Sequence, residues 1–315
     1  MSYYEVNTLI GALSCTYILR KDDSFWAATP QRKQKPKRSD EFSMRNEHTF
    51  CMLIVMTTTS TNDCANEHYG MGVDVGGSGI KGAIVDLQTG EFVGDRIKIA
   101  TPQPATPESV ASTVAEIVRL HEWDGPVGVT LPSVIQHQIA KSAANIDPSW
   151  IDTDVHELFG QHLPDRAVTV LNDADAAGLA EVAFGNERAR SGSVIFLTFG
   201  TGIGSAFLVD GHLFPNTEIG HLTVNKKEAE HIASSAVKQR EDLSFKKWAK
   251  RVDKVLHEYE RLFNPECFVV GGGISRKSDK WIPLLTVETP VVVATLRNRA
   301  GIVGAAMAAS EHLAP

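Results

Sequence analysis

Two stretches of the chain share one rhythm of apolar and polar positions. Gly72-Val73-Asp74-Val75 runs into the glycine cluster Gly76-Gly77-Ser78-Gly79, after which Gly82-Ala83-Ile84-Val85-Asp86-Leu87 is short, apolar and β-branched. Gln88-Thr89-Gly90 marks a turn, and residues 91–99 alternate as an antiparallel strand would. Farther on, Ser193-Val194-Ile195-Phe196-Leu197-Thr198-Phe199 runs into Gly200-Thr201-Gly202-Ile203-Gly204, and residues 205–209 lead to an Asp210-Gly211 turn. Both stretches read as strand, glycine turn, strand. Placing Gly77 on Gly200 superposes Gly-Ser-Gly-Ile on Gly-Thr-Gly-Ile, an internal repeat that predicts two similar lobes. Between them, Thr106 and Pro107 open a helix running through Glu116 to His121, and residues 167–171 form a buried strand followed by a helix over 174–184. A helix is also predicted over 244–262. Residues 301–312 are alanine-rich and uncharged until Glu311, which suits a buried helix.

The first 70 residues show no such rhythm. Tyr, Trp and Cys are scattered there, followed by the basic run Arg32-Lys33-Gln34-Lys35-Pro36-Lys37-Arg38 and the run Thr57-Thr58-Thr59-Ser60-Thr61. We read residues 1–70 as a flexible, disordered leader, and Met56 and Met71 leave a start farther in open. The leader holds eight Lys/Arg and eight Asp/Glu, so the formal charge of −7 belongs to the part that folds. Four widely separated cysteines with no C-x-x-C pair argue against a disulfide framework and a zinc site. No apolar run reaches the roughly 18 residues of a membrane span, and no basic start with an apolar signal core is present. The expectation is a cytoplasmic protein that engages neither membrane nor nucleic acid, the basic run being a solvated tail.

Gly77 to Gly82 is a literal G-x-G-x-x-G, but a dinucleotide fingerprint needs a helix after the glycines and here a strand follows. Lys81 precedes Gly82 rather than Ser or Thr, which excludes a Walker A loop. Glycine turns can be ordinary tight turns. Two matched ones, each with a hydroxyl between glycines, favour backbone N–H groups that cradle phosphate. The buried strand over 167–171 ends in Asn172-Asp173, at the C-terminal edge where open α/β sheets bind ligands. The macrodipole of the following helix predicts an ionised Asp173 at neutral pH, able to accept a proton; by position alone, capping that helix is the favoured role. Asp175 is the fallback base.

Asp74-x-Gly76-Gly77, Gly200-Thr201-Gly202-Ile203-Gly204 and Val269-Val270-Gly271-Gly272-Gly273-Ile274-Ser275 together resemble the two phosphate motifs and the adenosine motif of the ROK group of sugar kinases and repressors, in the actin-like ATPase superfamily. The resemblance runs from about Met71 to the C-terminus. Thr101-Pro102-Gln103-Pro104-Ala105-Thr106-Pro107, Leu171-Asn172-Asp173-Ala174-Asp175-Ala176-Ala177-Gly178 and Asn216-Thr217-Glu218-Ile219-Gly220-His221 resemble, more narrowly, that group's polyphosphate glucokinases. This implies a two-lobed α/β fold of duplicated ribonuclease H-like type with the ligand cleft between lobes. Residues 71–171 would form the first lobe and 172–299 the second, with helix 300–313 returning to the first and the lobes closing on a hinge over their ligands.

By resemblance, Asp173 is the catalytic base, and Asn145, Asn172, Asp173, Glu218, His221 and Glu230 bind the sugar. Singly, Asn145 and Asn172 could be turn residues and His221 a core histidine. Asp74 would hold hydrated Mg²⁺. Gly76, Gly77, Ser78, Gly79, Lys81, Gly200, Thr201, Gly202, Gly204, Gly271, Gly272 and Gly273 would line the phosphate and nucleotide path. Many ROK proteins follow the Gly-His pair with a cysteine-rich zinc motif; no cysteine occurs here between His221 and Cys267, so no zinc is expected. The implied reaction is phosphoryl transfer from polyphosphate, and ATP, to the 6-hydroxyl of glucose by a homodimer. An ATP-dependent glucokinase or another hexose kinase is the alternative. A sugar-sensing repressor would need a recognition helix that the leader does not supply, and an actin-like ATPase with a protein client would not need the sugar-sized polar set. A polyanionic donor needs a local basic track on so acidic a protein. Lys246, Lys247, Lys250, Arg251 and Lys254 share one face of helix 244–262 and could supply it, although a lysine run on a helix is usually a solvated face.

Overall fold

The computed structural model describes residues 5–10, 13–18, 68–144 and 146–311. Contact density divides the chain into compact units at Thr57/Thr58. In the first unit, β1 (Glu5–Ile10) and β2 (Leu13–Ile18) pair antiparallel with Glu5 opposite Ile18. Each segment carries β-branched or aromatic residues whose propensity favours extended backbone without strict alternation. The rest of residues 1–67, over which a flexible leader is expected, lies outside the described residues.

The second unit opens with β3 (Tyr69–Gly76), β4 (Gly79–Asp86) and β5 (Phe92–Ile99), followed by helix α1 (Pro107–Leu120) and β6 (Val127–Leu131). Two short strands, β7 (Ile135–Gln136) and β8 (Ile139–Ala140), helix α2 (Val155–His162) and β9 (Val168–Asn172) complete this half. Its sheet runs β5-β4-β3-β6-β9, antiparallel through the glycine hairpin and parallel from β3 to β9. Helix α3 (Asp173–Phe184) leads to β10 (Ser193–Phe199), β11 (Ile203–Val209) and β12 (His212–Phe214). Next come β13 (Thr223–Val224), β14 (Lys227–Glu228) and helices α4 (Ala229–Ala233), α5 (Ser235–Arg240) and α6 (Phe245–Phe263). The chain then enters β15 (Cys267–Gly271), β16 (Val291–Val293) and helix α7 (Ala300–Ser310). The second sheet, β12-β11-β10-β15-β16, repeats the pairing senses of the first strand for strand. The internal repeat is thus a duplicated sheet, because the same glycine break in the same alternation builds the same hairpin twice.

Alternation decides what each sheet buries. On β3, Met71, Val73 and Val75 pack with Val110, Val114 and Ile117 of α1, while the intervening Gly72 faces α7. On β10, Ile195, Leu197 and Phe199 pack against Trp248, Val252 and Leu256 of α6, and Val194 and Phe196 join Ala177 of α3 and Ile302 of α7 in a core that also takes in Ala83 and Val85. Helices α3 and α7 therefore form a shared layer between the sheets. The layer is close-packed to the backbone: a Cβ on Gly128 would lie 1.8 Å from the Ala305 carbonyl oxygen, and one on Gly304 1.8 Å from that of Ala176. The alanine-rich, uncharged sequence of α7 is what this two-sided burial requires. The helix was expected over 300–313; its last turn ends at Ser310, and residues 312 and 313 lie outside the described residues.

Candidate active site

The chain crosses from the first sheet to the second at Asn172-Asp173. Asn172 ends β9 and caps α3: its Oδ1 accepts from the Ala174 N–H at 2.8 Å and the Asp175 N–H at 3.2 Å. The capping role open to Asp173 thus belongs to its neighbour, and Asp173 is the first helical residue, its Oδ1 accepting only the Ala174 N–H, at 2.9 Å, among the described bonds. Burial raises the Asp173 carboxyl most and the charge of Asp74 next; with a smaller push from Glu218 the value reaches about 7. Against the expectation of an ionised Asp173, the group is only part-ionised at neutral pH, because desolvation and neighbouring carboxylates outweigh the helix N-terminus. Asp175 is fully buried, accepts the Asn216 N–H at 2.7 Å and is also raised to about 7, chiefly by burial. That burial removes it as an accessible fallback base.

Asn172 Nδ2 donates to the Ser133 carbonyl at 3.2 Å and reaches Glu218 Oε1 at 3.5 Å. Glu218 precedes a 3₁₀ turn, Ile219–His221, held from two sides: the Ile219 N–H donates to Ser205 Oγ at 3.2 Å, and Tyr259 Oη of α6 donates to the Ile219 carbonyl at 2.7 Å. Burial raises the Glu218 carboxyl, with His221 opposing and Glu230 adding. His221 is exposed, and its Nδ1 meets Glu228 Oε2 at 3.1 Å, so it is not a core histidine. Glu230 lies against the second glycine turn, its Oε2 2.3 Å from where a Cβ on Gly202 would stand. Asn172, Asp173, Glu218, His221 and Glu230 are therefore brought together. Asn145 lies outside the described residues.

The first glycine turn is the two-residue Gly77-Ser78 turn, exposed at its tip, with Thr101 Oγ1 donating to the Gly76 carbonyl. Behind it Asp74 accepts from Lys81 Nζ at 3.0 Å and Thr130 Oγ1 at 3.1 Å, close to Gly301 in the first turn of α7. The second turn carries Thr201, and its Gly200 carbonyl accepts from the Ala236 N–H and Ser235 Oγ of α5, both at 3.1 Å. Gly204 is already in β11. Gly271 ends β15; Gly272 follows at φ 82°, where a Cβ would lie 2.5 Å from the Phe199 carbonyl oxygen, and Gly273 opens a 3₁₀ helix. The third motif thus passes backbone to backbone against the strand end that launches the second turn.

Lys246, Lys247, Lys250 and Lys254 are exposed on α6 opposite its buried face, while Arg251 pairs with Glu241 at 2.6 Å. Glu241 lines a 580 Å³ cavity with Thr223, Lys226, Lys227, Glu228, His231 and Arg240. Sequence reasoning missed the basic residues of that rim, as it did Thr130, Ser133 and Glu228. None lies in a motif, and only the register that sets Thr130 beside Asp74 could have signalled the first. His221, Glu228 and Glu230 present ligand-capable atoms within 4.8 Å of one another. Two of the three, His221 and Glu228, are bonded to each other.

The ROK family pattern matches residues 70–235. A polyphosphate glucokinase of Mycobacterium tuberculosis is 56% identical over 251 residues, 80% of this chain and 95% of that one. The chain belongs to the ROK family. The crystal structure of the inorganic polyphosphate/ATP-glucomannokinase from Arthrobacter sp. strain KM is similar to this ROK chain with TM-score 0.74 and 48% identity, covering 78% of this chain and 99% of that one. A ROK family glucokinase from Streptomyces griseus, in complex with glucose and AMPPNP, is similar at TM-score 0.66 and 25% identity, over 77% and 99%. The duplicated sheets are those of the actin-like ATPase fold.

Proposed function

We propose that this ROK protein transfers a phosphoryl group from inorganic polyphosphate, and from ATP, to the 6-hydroxyl of glucose, giving glucose 6-phosphate. The observation that carries this reading is the carboxyl of Asp173, which is not the cap of α3 and is set near Glu218 and within electrostatic reach of Asp74 on the first glycine hairpin. Phosphoryl transfer asks the protein for position and charge rather than covalent chemistry. Asp173 accepts the proton of the attacking hydroxyl. Asn145, Asn172, Glu218, His221 and Glu230 hold the sugar, and Ser78, Thr201 and the N–H of Gly202 hold phosphate oxygens. Gly271, Gly272 and Gly273 border the nucleotide when ATP is the donor.

Asp74 suits Mg²⁺: it is a partly exposed carboxylate, and this ion keeps several waters and takes one or two carboxylates with substrate phosphates. When bound, the ion would neutralise charge developing on the phosphate oxygens. The polyanionic donor runs along the basic face of α6. We place the protein in the cytoplasm as a homodimer; among the described residues no helix is long and apolar enough to cross a membrane.

Incubating the protein with glucose and long-chain polyphosphate, then with ATP, and assaying glucose 6-phosphate tests the reading. Product with both donors is expected, product with ATP alone would make it an ATP-dependent hexose kinase, and product with neither would overturn it. Mannose belongs in the same assay, since the Arthrobacter relative is a glucomannokinase.

A further inference from the structure

Glu228 belongs to no motif, yet one tight hairpin delivers it to the sugar loop. Strands β13 and β14 pair Thr223 with Glu228 and Val224 with Lys227, across the two-residue turn Asn225-Lys226. Both turn residues have positive φ, 49° and 69°, as a type I′ hairpin requires. Val224 is buried beneath it, and the Ala229 N–H closes back on the Leu222 carbonyl at 2.9 Å. This register sets Glu228 opposite a residue two positions from His221. Glu228 also occupies the N-cap position of α4, but its side chain caps nothing. Its Oε2 instead meets His221 Nδ1 at 3.1 Å, nearer than His231 Nδ1 at 3.7 Å.

We propose that Glu228 is a positioning residue for the acceptor sugar: its carboxylate fixes the ring orientation and tautomer of His221, leaving Nε2 to bond a sugar hydroxyl. The proposal rests on the sugar-binding role given to His221 above. In a neutral imidazole one nitrogen donates and the other accepts, and the partner of one decides what the other can do. With Glu228 accepting from Nδ1–H, Nε2 accepts from a hydroxyl in the neutral ring and donates to one in the cation. The charged groups around the ring are Glu218, Glu228, Glu230 and, beyond Glu228, His231. The hydrogen bond that His221 donates to Glu228 is the largest influence raising the His221 pKa.

Wild type, Glu228→Ala and Glu228→Gln decide the matter, and a fourth form, His221→Gln, assigns the His221 resonances. Nitrogen-15 NMR of the free protein should show the Nδ1 proton in wild type, its loss of preference in Glu228→Ala and its retention in Glu228→Gln, whose amide oxygen still accepts. Glu228→Ala should raise the glucose KM about tenfold, the scale of one charge-assisted hydrogen bond, with the polyphosphate KM unchanged. Glu228→Gln should recover most of that loss. Equal rises in both KM values would mean a loosened hairpin and overturn the proposal, as would an unchanged tautomer or an unchanged glucose KM in Glu228→Ala. Because the NMR arm needs no turnover, a wild type that phosphorylates no sugar would refute the activity while Glu228's hold on the ring is still decided.

Discussion

At the residue scale the site turns on a division of labour between Asn172 and Asp173. Asn172 spends its oxygen on the helix N-terminus and its amide on Ser133 and Glu218, so the next carboxyl, bonded to the Ala174 N–H alone among the described bonds, is the one we propose as the base. Asp173→Asn should bind glucose as wild type does and lower kcat at least about a hundredfold, the scale of a positioned base; steady-state kinetics beside calorimetric glucose binding check this. If Asp173, raised to about 7, is the base, the wild-type rate should climb as pH rises through neutrality, which a pH–rate profile checks. The same group costs stability. Its unfolded value lies at 3.8, so between about pH 4 and pH 7 the folded chain keeps a proton the unfolded chain has lost, and stability drains away as pH rises through that window. Asp173→Asn should therefore melt above wild type at pH 8 and level with it at pH 4, measured by calorimetry at both values. Asp173 was visible in the sequence because it closes a buried strand and opens a helix. Its raised pKa was not, since the charge that helps raise it sits on Asp74, 99 positions earlier.

At the scale of elements, α6 and α7 show opposite uses of a helix. One face of α6 buttresses the candidate site: Trp248 Nε1 donates to the Ala233 carbonyl at 2.9 Å, and Tyr259 holds the Ile219–His221 turn. The other carries the lysines. If these guide a long polyanion, Lys247→Gln, Lys250→Gln and Lys254→Gln together should raise the polyphosphate KM several-fold and flatten its salt dependence, with the ATP rate little changed. Measuring both donors at two salt concentrations decides between this and a solvated face, and an unaffected polyphosphate KM would direct attention to the rim formed by Lys226, Lys227 and Arg240. Helix α7 is small on every side because both sides are buried. Gly128→Ala drives a methyl into the Ala305 carbonyl, which no rotamer can relieve. It should cost about 3 kcal/mol, the upper end of ordinary overpacking, read from urea unfolding.

At the scale of the whole molecule, the compact division at Thr57/Thr58 and the family match from residue 70 place the kinase machinery within the second unit. Deleting residues 1–55 should leave folding and glucose phosphorylation intact; loss of soluble protein or of activity would show that the first unit contributes. The duplicated sheets and their two glycine turns were legible in the sequence, because each is written in local terms: alternation sets a strand, a glycine cluster breaks it, and a repeat of that pattern repeats the hairpin. The pairing of β1 with β2 is not legible in the sequence, because neither segment alternates cleanly. Only the tertiary structure decided which of two adjacent residues caps α3, that Asp175 is sealed beneath Asn216, and that Glu228 rather than a backbone carbonyl holds His221. Those outcomes depend on which distant segments meet, and burial, neighbouring charge and hydrogen-bond partners are properties of that meeting rather than of any local run of residues.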